Sequence, residues 1–403
     1  MADLDRTSVL TRVAERGRVR VIVAGGGTGG HTYPAAAVIR ALRTLVSDAG
    51  AAADVLWVGT PDSLEQRVAV ENRVDFAPLR AGRLRRDHNP LRMLTDVENI
   101  KDALRLPGSV IAAILLVAKF RPDVVIATGG YVAVPVGVAA ALLRRPLLIH
   151  EQTSGIGKAN ELLAPVATRI AVSSAASLEL LRGKARDRAV VTGNPIRAAL
   201  MAGDPQAAVR ALEWGGYTPE LPTVYVTGGA QGACQINDLI IAILPELLQV
   251  ANVVHQCGRT SFTDINRHAE TLPGTLRARY QLHEFIDVDL LADIFALADI
   301  VVSRSGAGTL AELTALGKPS VLIPYPHSVG GEQARGAEHL ADHHAARALI
   351  GNDATTDRLR AELFHLLFKP ATRTAMSMNA AAMGHPNAAA ELAVTALDLA
   401  MGF

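Results

Sequence analysis

The sequence predicts an α/β protein in two halves, each a parallel sheet covered by helices on both faces. Three observations predict it. Short apolar runs alternate with helix-like runs along the whole chain, as strands buried on both faces do. A glycine-rich strand-to-helix turn occurs once in each half, at Gly25-Gly26-Gly27-Thr28-Gly29-Gly30-His31 and at Gly228-Gly229-Ala230-Gln231-Gly232-Ala233. The chain has 403 residues, too many for one ordinary core.

The elements follow in order. Residues 1–18 carry Asp3, Asp5 and Glu15 and no long apolar run. They read as a loose N-terminal extension rather than a signal peptide. Strands are expected at 19–24, 54–58, 124–127, 147–149, 169–172 and 190–192, then at 223–227, 252–256, 280–284, 300–303 and 320–324. Gly193-Asn194-Pro195 ends the first series, and the segment 201–222, with Gly, Pro and charge, leads into the second. The expected domains are 19–197 and 198–386. A helix within 387–403 has no strand after it, so it is free to cross back onto the first domain.

Composition narrows the function. Hydrophobic residues make up 49% and charged residues 20%, so the chain is globular. Forty basic residues against 39 acidic give a net charge of +1, which argues against a nucleic-acid surface. Cys234 and Cys257 are the two cysteines; they lack metal-ligand spacing and suit a reducing cytosol. The apolar run 110–118 has nine residues, too few to span a bilayer, so any membrane contact is peripheral.

The motifs sit where strands end, the edge at which such sheets bind ligands. Gly25, Gly27 and Gly30 match a dinucleotide fingerprint, but the acid expected about 20 residues on is missing. The second strand ends Val58-Gly59-Thr60 instead. His31 opens the helix after the first loop, where it is either a polar entry residue or a neutral base. Thr128-Gly129-Gly130-Tyr131 and His150-Glu151-Gln152-Thr153 follow two further strands. Ser303-Arg304-Ser305-Gly306-Ala307-Gly308-Thr309 is a small-residue turn before a helix, suited to a diphosphate. Glu312 lies in that helix, where it either complements the dipole or accepts from ribose hydroxyls. Gln333 enters another helix, with an amide that both donates and accepts toward a sugar. Arg80, Arg83, Arg85, Arg86 and Arg92 precede the apolar run. They read as either a solvated loop or a patch for an anionic membrane.

In this order the motifs resemble the MurG family, from about residue 19 to about 390. The carrying residues are Gly26-Gly27-Thr28-Gly29-Gly30-His31-x-x-Pro34, Gly129-Gly130-Tyr131, His150-Glu151-Gln152, Gly193-Asn194-Pro195-Ile196-Arg197, Gly228-Gly229-x-Gln231-Gly232-Ala233, Glu284-Phe285-Ile286-Asp287 and Ser303-Arg304-Ser305-Gly306-Ala307. The resemblance implies a GT-B fold, two Rossmann-like domains facing a central cleft. It implies a peripheral glycosyltransferase of the inner membrane face that moves N-acetylglucosamine from its UDP form to a lipid-linked diphosphate acceptor, turning lipid I into lipid II. It places Arg197, Gly229, Ala230, Gln231, Gly232, Arg304, Ser305, Gly306 and Thr309 around the diphosphate. Ile286 would meet uracil, Glu312 the ribose and Gln333 the donor sugar. Thr28, Gly29, Gly30, Gly130, Tyr131, Glu151 and Thr153 would face the acceptor, with His31 as the base. No cofactor is required, and a divalent metal is at most stimulatory.

Four positions depart from the family pattern: Thr153 for Asn, Ala230 for Ser, Cys234 for Arg and Gly336 for Asn. Polar contacts set specificity, so a paralogue with another acceptor is an alternative. Rival classes are a sugar-nucleotide epimerase, which needs no acceptor; a dehydrogenase, which would bind nicotinamide; and a binder without turnover.

Overall fold

A computed structural model describes residues 5–82, 97–153 and 155–402. The chain divides into two compact units, one of residues up to Ile196 together with those from Asn387 on, the other Arg197–Pro386.

The first unit holds strands β1 Arg18–Gly25, β2 Ala52–Gly59, β3 Asp75–Pro78, β4 Val124–Gly129, β5 Leu147–Glu151, β6 Arg169–Val172 and β7 Ala189–Val191. Its helices are α1 Arg6–Arg16, α2 Gly29–Asp48, α3 Leu64–Glu71, α4 Val97–Phe120, α5 Ala133–Leu142, α6 Lys158–Leu163, α7 Ala175–Glu179 and α8 Lys184–Asp187. The seven strands pair in parallel in the order β3-β2-β1-β4-β5-β6-β7. The order reverses between β1 and β4, the point where such sheets open to ligands. Alternation along β1 supplies both cores. Val21 and Val23 join α2 on one face, while Ile22 and Ala24 join Val132 and Val136 on the other.

The second unit holds β8 Thr223–Thr227, β9 Asn252–Gln256, β10 Tyr280–His283, β11 Ile300–Ser303, β12 Ser320–Leu322 and β13 Arg347–Ala348. Between and after them run α9 Pro205–Ala211, α10 Cys234–Val250, α11 Arg259–Glu270, α12 Gly274–Arg277, α13 Val288–Leu297, α14 Ala307–Ala315, α15 Glu332–Asp342, α16 Thr356–Phe368 and α17 Pro370–Ala382. The sheet order β10-β9-β8-β11-β12-β13 is again parallel, with its switch point between β8 and β11. Both glycine loops therefore leave strands at switch points.

The last helix, α18 Ala388–Met401, packs on α1 and α2 of the first unit. Leu392 and Leu397 are fully buried there. The N-terminal segment is not a loose extension. Asp5 caps α1 through the Thr7 N–H, Gly17 ends it at φ +71°, and Val9 and Val13 are fully buried. Arg12 pairs with Asp398 at 2.8 Å, and Arg16 pairs with Asp123. Arg197, the last residue of the expected first domain, falls in the second unit, where it pairs with Glu312. Of the basic cluster, Arg83, Arg85, Arg86 and Arg92 lie outside the described residues, and Arg80 is exposed.

Candidate active site

In the second unit, the loop after β8 and the turn after β11 line one cavity of about 750 Å³. Its lining includes residues 228–235, Arg304, Gly306, Thr309, Tyr325 and Gln333. Helices α10 and α14 begin at this loop and this turn, and neither has a side chain capping its first turn. Such uncapped helix starts and their dipoles suit the cavity to an anion. The loop is held from below. Thr227 Oγ1 accepts from the Gly229 N–H at 3.0 Å, and Gln256 Nε2 donates to the Gly229 carbonyl at 2.9 Å. Tyr225 donates in turn to Gln256 Oε1 at 3.3 Å, its phenol kept protonated by burial. Sequence reasoning missed Tyr225 and Gln256; the signal was there, since Gln256 is the register partner of Thr227. Gly232 has φ +75°, and a Cβ there would stand 1.9 Å from the Cys257 carbonyl oxygen.

Gly229, Ala230, Gln231, Gly232, Gly306 and Thr309 all face this cavity. Arg304 lines it, but its guanidinium is engaged by Gln235 Oε1 at 2.8 Å and by the carbonyls of Ile323 and Pro324 at 2.9 and 3.0 Å. It therefore fastens the loop behind β12. The Gln333 side-chain oxygen accepts from the Tyr325 N–H at 2.9 Å, which turns its NH₂ outward as a donor. Ser305 is buried and donates to the Gln333 carbonyl at 2.8 Å, so its hydroxyl seats α15. Gly336 is buried too; a Cβ there would meet Leu310 Cδ1 at 2.6 Å. Arg197, Ile286, Ser305 and Glu312 are not among the lining residues. Ile286 is a core side chain. Glu312 and Arg197 form an ion pair at 2.9 Å; burial pushes the Glu312 carboxyl up, and Arg197 opposes that.

In the first unit, His31 occupies the first turn of α2 and its ring lies over Gly129. Gly129 has φ +100°, and a Cβ there would come within 2.8 Å of the imidazole. His31 Nδ1 is 3.0 Å from Gln152 Oε1. Gln152 Nε2 is 2.6 Å from the Thr128 carbonyl and 3.2 Å from His150 Nδ1. His150 Nε2 is 3.0 Å from the Gly193 carbonyl. Burial pushes His150 down to about 4, so it is neutral. Thr28, Gly29, Gly30, Gly130 and Tyr131 surround the same strand ends.

Glu151 is not open to a ligand. Its carboxylate accepts from the Thr153 and Gly157 N–H groups at 3.1 and 2.8 Å, from the Thr153 hydroxyl at 2.8 Å and from Asn160 Nδ2 at 2.9 Å. Thr153 closes this loop with its own side chain. Glu65 is a second buried carboxylate, which sequence reasoning missed. It accepts from the Gly27 N–H at 3.2 Å and the Thr60 N–H at 3.1 Å. It thereby braces from beneath the loop that carries the dinucleotide fingerprint. Among the described residues no three His, Cys, Asp or Glu side chains cluster as a metal site.

Comparison with known proteins adds the following. Residues 21–172 match the glycosyltransferase family 28 N-terminal domain, and residues 223–392 match its C-terminal domain. A protein of Halalkalibacterium halodurans is 32% identical over 95% of this chain and all of its own length. One of Listeria monocytogenes is 34% identical over 94% of this chain and 99% of its own. Both are named UDP-N-acetylglucosamine–N-acetylmuramyl-(pentapeptide) pyrophosphoryl-undecaprenol N-acetylglucosamine transferase. The crystal structure of Acinetobacter baumannii MurG matches with a TM-score of 0.70 at 26% identity, covering 94% of this chain and 99% of that one. A UDP-GlcNAc 2-epimerase from Neisseria meningitidis matches at 14% identity and a TM-score of 0.62, over 92% of this chain and 97% of that one, a likeness of fold.

Proposed function

The chain belongs to glycosyltransferase family 28, and from that membership we propose that it is the inverting hexosyltransferase that moves N-acetylglucosamine from UDP-N-acetylglucosamine to lipid I, giving lipid II for peptidoglycan. The fold is of the GT-B type. One observation carries the donor half of the reading: the cavity of about 750 Å³ with two uncapped helix N-termini on its lining. The diphosphate sits at loop 228–233 and at the start of α14. The outward NH₂ of Gln333 donates to the sugar. Glu312 holds the ribose and Arg197 turns toward phosphate, so donor binding loosens their ion pair. Ile286 meets uracil through its backbone.

The first unit supplies the acceptor side through residues 28–31 and 129–131. The acceptor hydroxyl oxygen bonds to the anomeric carbon while the bond from that carbon to the diphosphate breaks. The electron pair leaves with UDP, and the hydroxyl proton passes to His31 Nε2. Charge building on UDP meets helix dipoles and Arg197; a divalent metal is at most stimulatory. Membrane attachment is peripheral in this reading. Ile111 and Leu115 are exposed on α4, and a groove of about 490 Å³ combines Leu115, Leu116 and Phe120 with Arg20 and Lys119. Among the described residues no helix is long and apolar enough to cross a membrane.

The test is product analysis with UDP-N-acetylglucosamine alone and with a soluble lipid I analogue. Acceptor-dependent UDP release with a disaccharide product supports the proposal. An epimerised donor formed without acceptor, or UDP binding without turnover, overturns it.

A further inference from the structure

The polar side chains behind His31 form a chain whose far end is a backbone carbonyl, and that end fixes every proton before it. The Gly193 carbonyl only accepts, so His150 Nε2, at 3.0 Å, carries the hydrogen and donates. His150 is fully buried and neutral, so its Nδ1 holds a lone pair. Gln152 Nε2 faces that lone pair at 3.2 Å and the Thr128 carbonyl at 2.6 Å, two acceptors for its two hydrogens. The reverse amide orientation would set two oxygens against each other at Thr128. Gln152 Oε1 is therefore the atom that faces His31, and it only accepts.

We propose that Gln152, braced by His150, Thr128 and Gly193, is a positioning residue that holds His31 as the Nδ1–H tautomer and leaves the Nε2 lone pair for the acceptor proton. The inference rests on the reading of His31 as the base. A histidine's free nitrogen is set by the bond its other nitrogen makes, and the wrong tautomer disables a base even where its geometry survives. Thr128 serves twice, since its hydroxyl also donates to the His31 carbonyl at 3.1 Å and so ties the backbone of the base to the same strand end.

The test is nitrogen NMR on the full chain with ¹⁵N-labelled histidine, the His31 signals being assigned by their loss in His31→Gln. The expected wild-type spectrum shows Nδ1 protonated and Nε2 as the lone-pair nitrogen. Gln152→Met keeps the bulk and removes both polar ends. It is expected to move His31 to the Nε2–H form and to lower kcat about 100-fold, with the donor KM within threefold. An Nε2–H ring in the wild type overturns the proposal without needing any variant to fold. Unchanged kcat in a folded Gln152→Met also overturns it. Retained turnover in His31→Gln marks a different failure, that of the base assignment, whatever the tautomer.

Discussion

Gly129 shows how a single backbone position governs the His31 ring. Its φ of +100° suits glycine alone, and any side chain would meet the His31 ring at 2.8 Å. Gly129→Ala is expected to cost about 1–3 kcal/mol in stability through backbone strain. It also tilts the imidazole out of place, so kcat falls more than the donor KM rises. Thermal unfolding and steady-state kinetics check this together; an alanine variant with wild-type Tm and kcat would show that the ring has room to spare. Other single residues turned out to work inward. Glu151 and Thr153 were expected at the acceptor, and their pattern as a strand-end polar pair was legible in the sequence. The sequence does not say that four donors converge on the Glu151 carboxylate from Thr153, Gly157 and Asn160. Which way a polar side chain turns depends on partners the loop brings to it.

Among the elements, the buried central strands were legible because a parallel strand covered on both faces is apolar throughout. The edges were not. β3 reads Asp-Phe-Ala-Pro and β13 is two residues, Arg347 and Ala348, neither with a pattern that separates a strand from a loop. Helix α1 was missed although its cap signals, Asp5 and Gly17, are present. Its packing partner α18 lies at the other end of the chain, with Arg12 and Asp398 386 residues apart in sequence. Helix α18 closes the core over α2, so Leu392→Ala, at a fully buried position, is expected to cost about 2–5 kcal/mol. Chemical denaturation checks it. A loss below about 1 kcal/mol would mean that α18 is an accessory to the first unit rather than part of its core.

At the scale of the whole molecule, each unit buries one neutral histidine among the described residues. His150 is held at about 4 and His255 at about 3, against an ordinary value of 6.5. Below about pH 6.5 the unfolded chain binds protons that the folded chain refuses, so stability falls as pH falls. The slope reaches about 1.4 kcal/mol per pH unit for each histidine, and each contribution levels off near its folded value. The Tm is expected to drop between pH 7 and pH 5, and a flat Tm across that window would contradict the burial of these rings as neutral groups. Both glycine loops were legible in the sequence, because glycine turns at strand ends have a composition of their own. The chain of contacts from Gly193 to His31 was not, since it joins four segments only after folding. The account as a whole turns on His31. Its most direct test is the rate of labelled N-acetylglucosamine transfer to a soluble lipid I analogue by wild type and His31→Ala, measured side by side. The expected result is transfer by the wild type and a fall in kcat of about 10²–10⁴-fold in the variant, with the donor KM within threefold. No transfer by the wild type, or near-normal turnover by the variant, would contradict it.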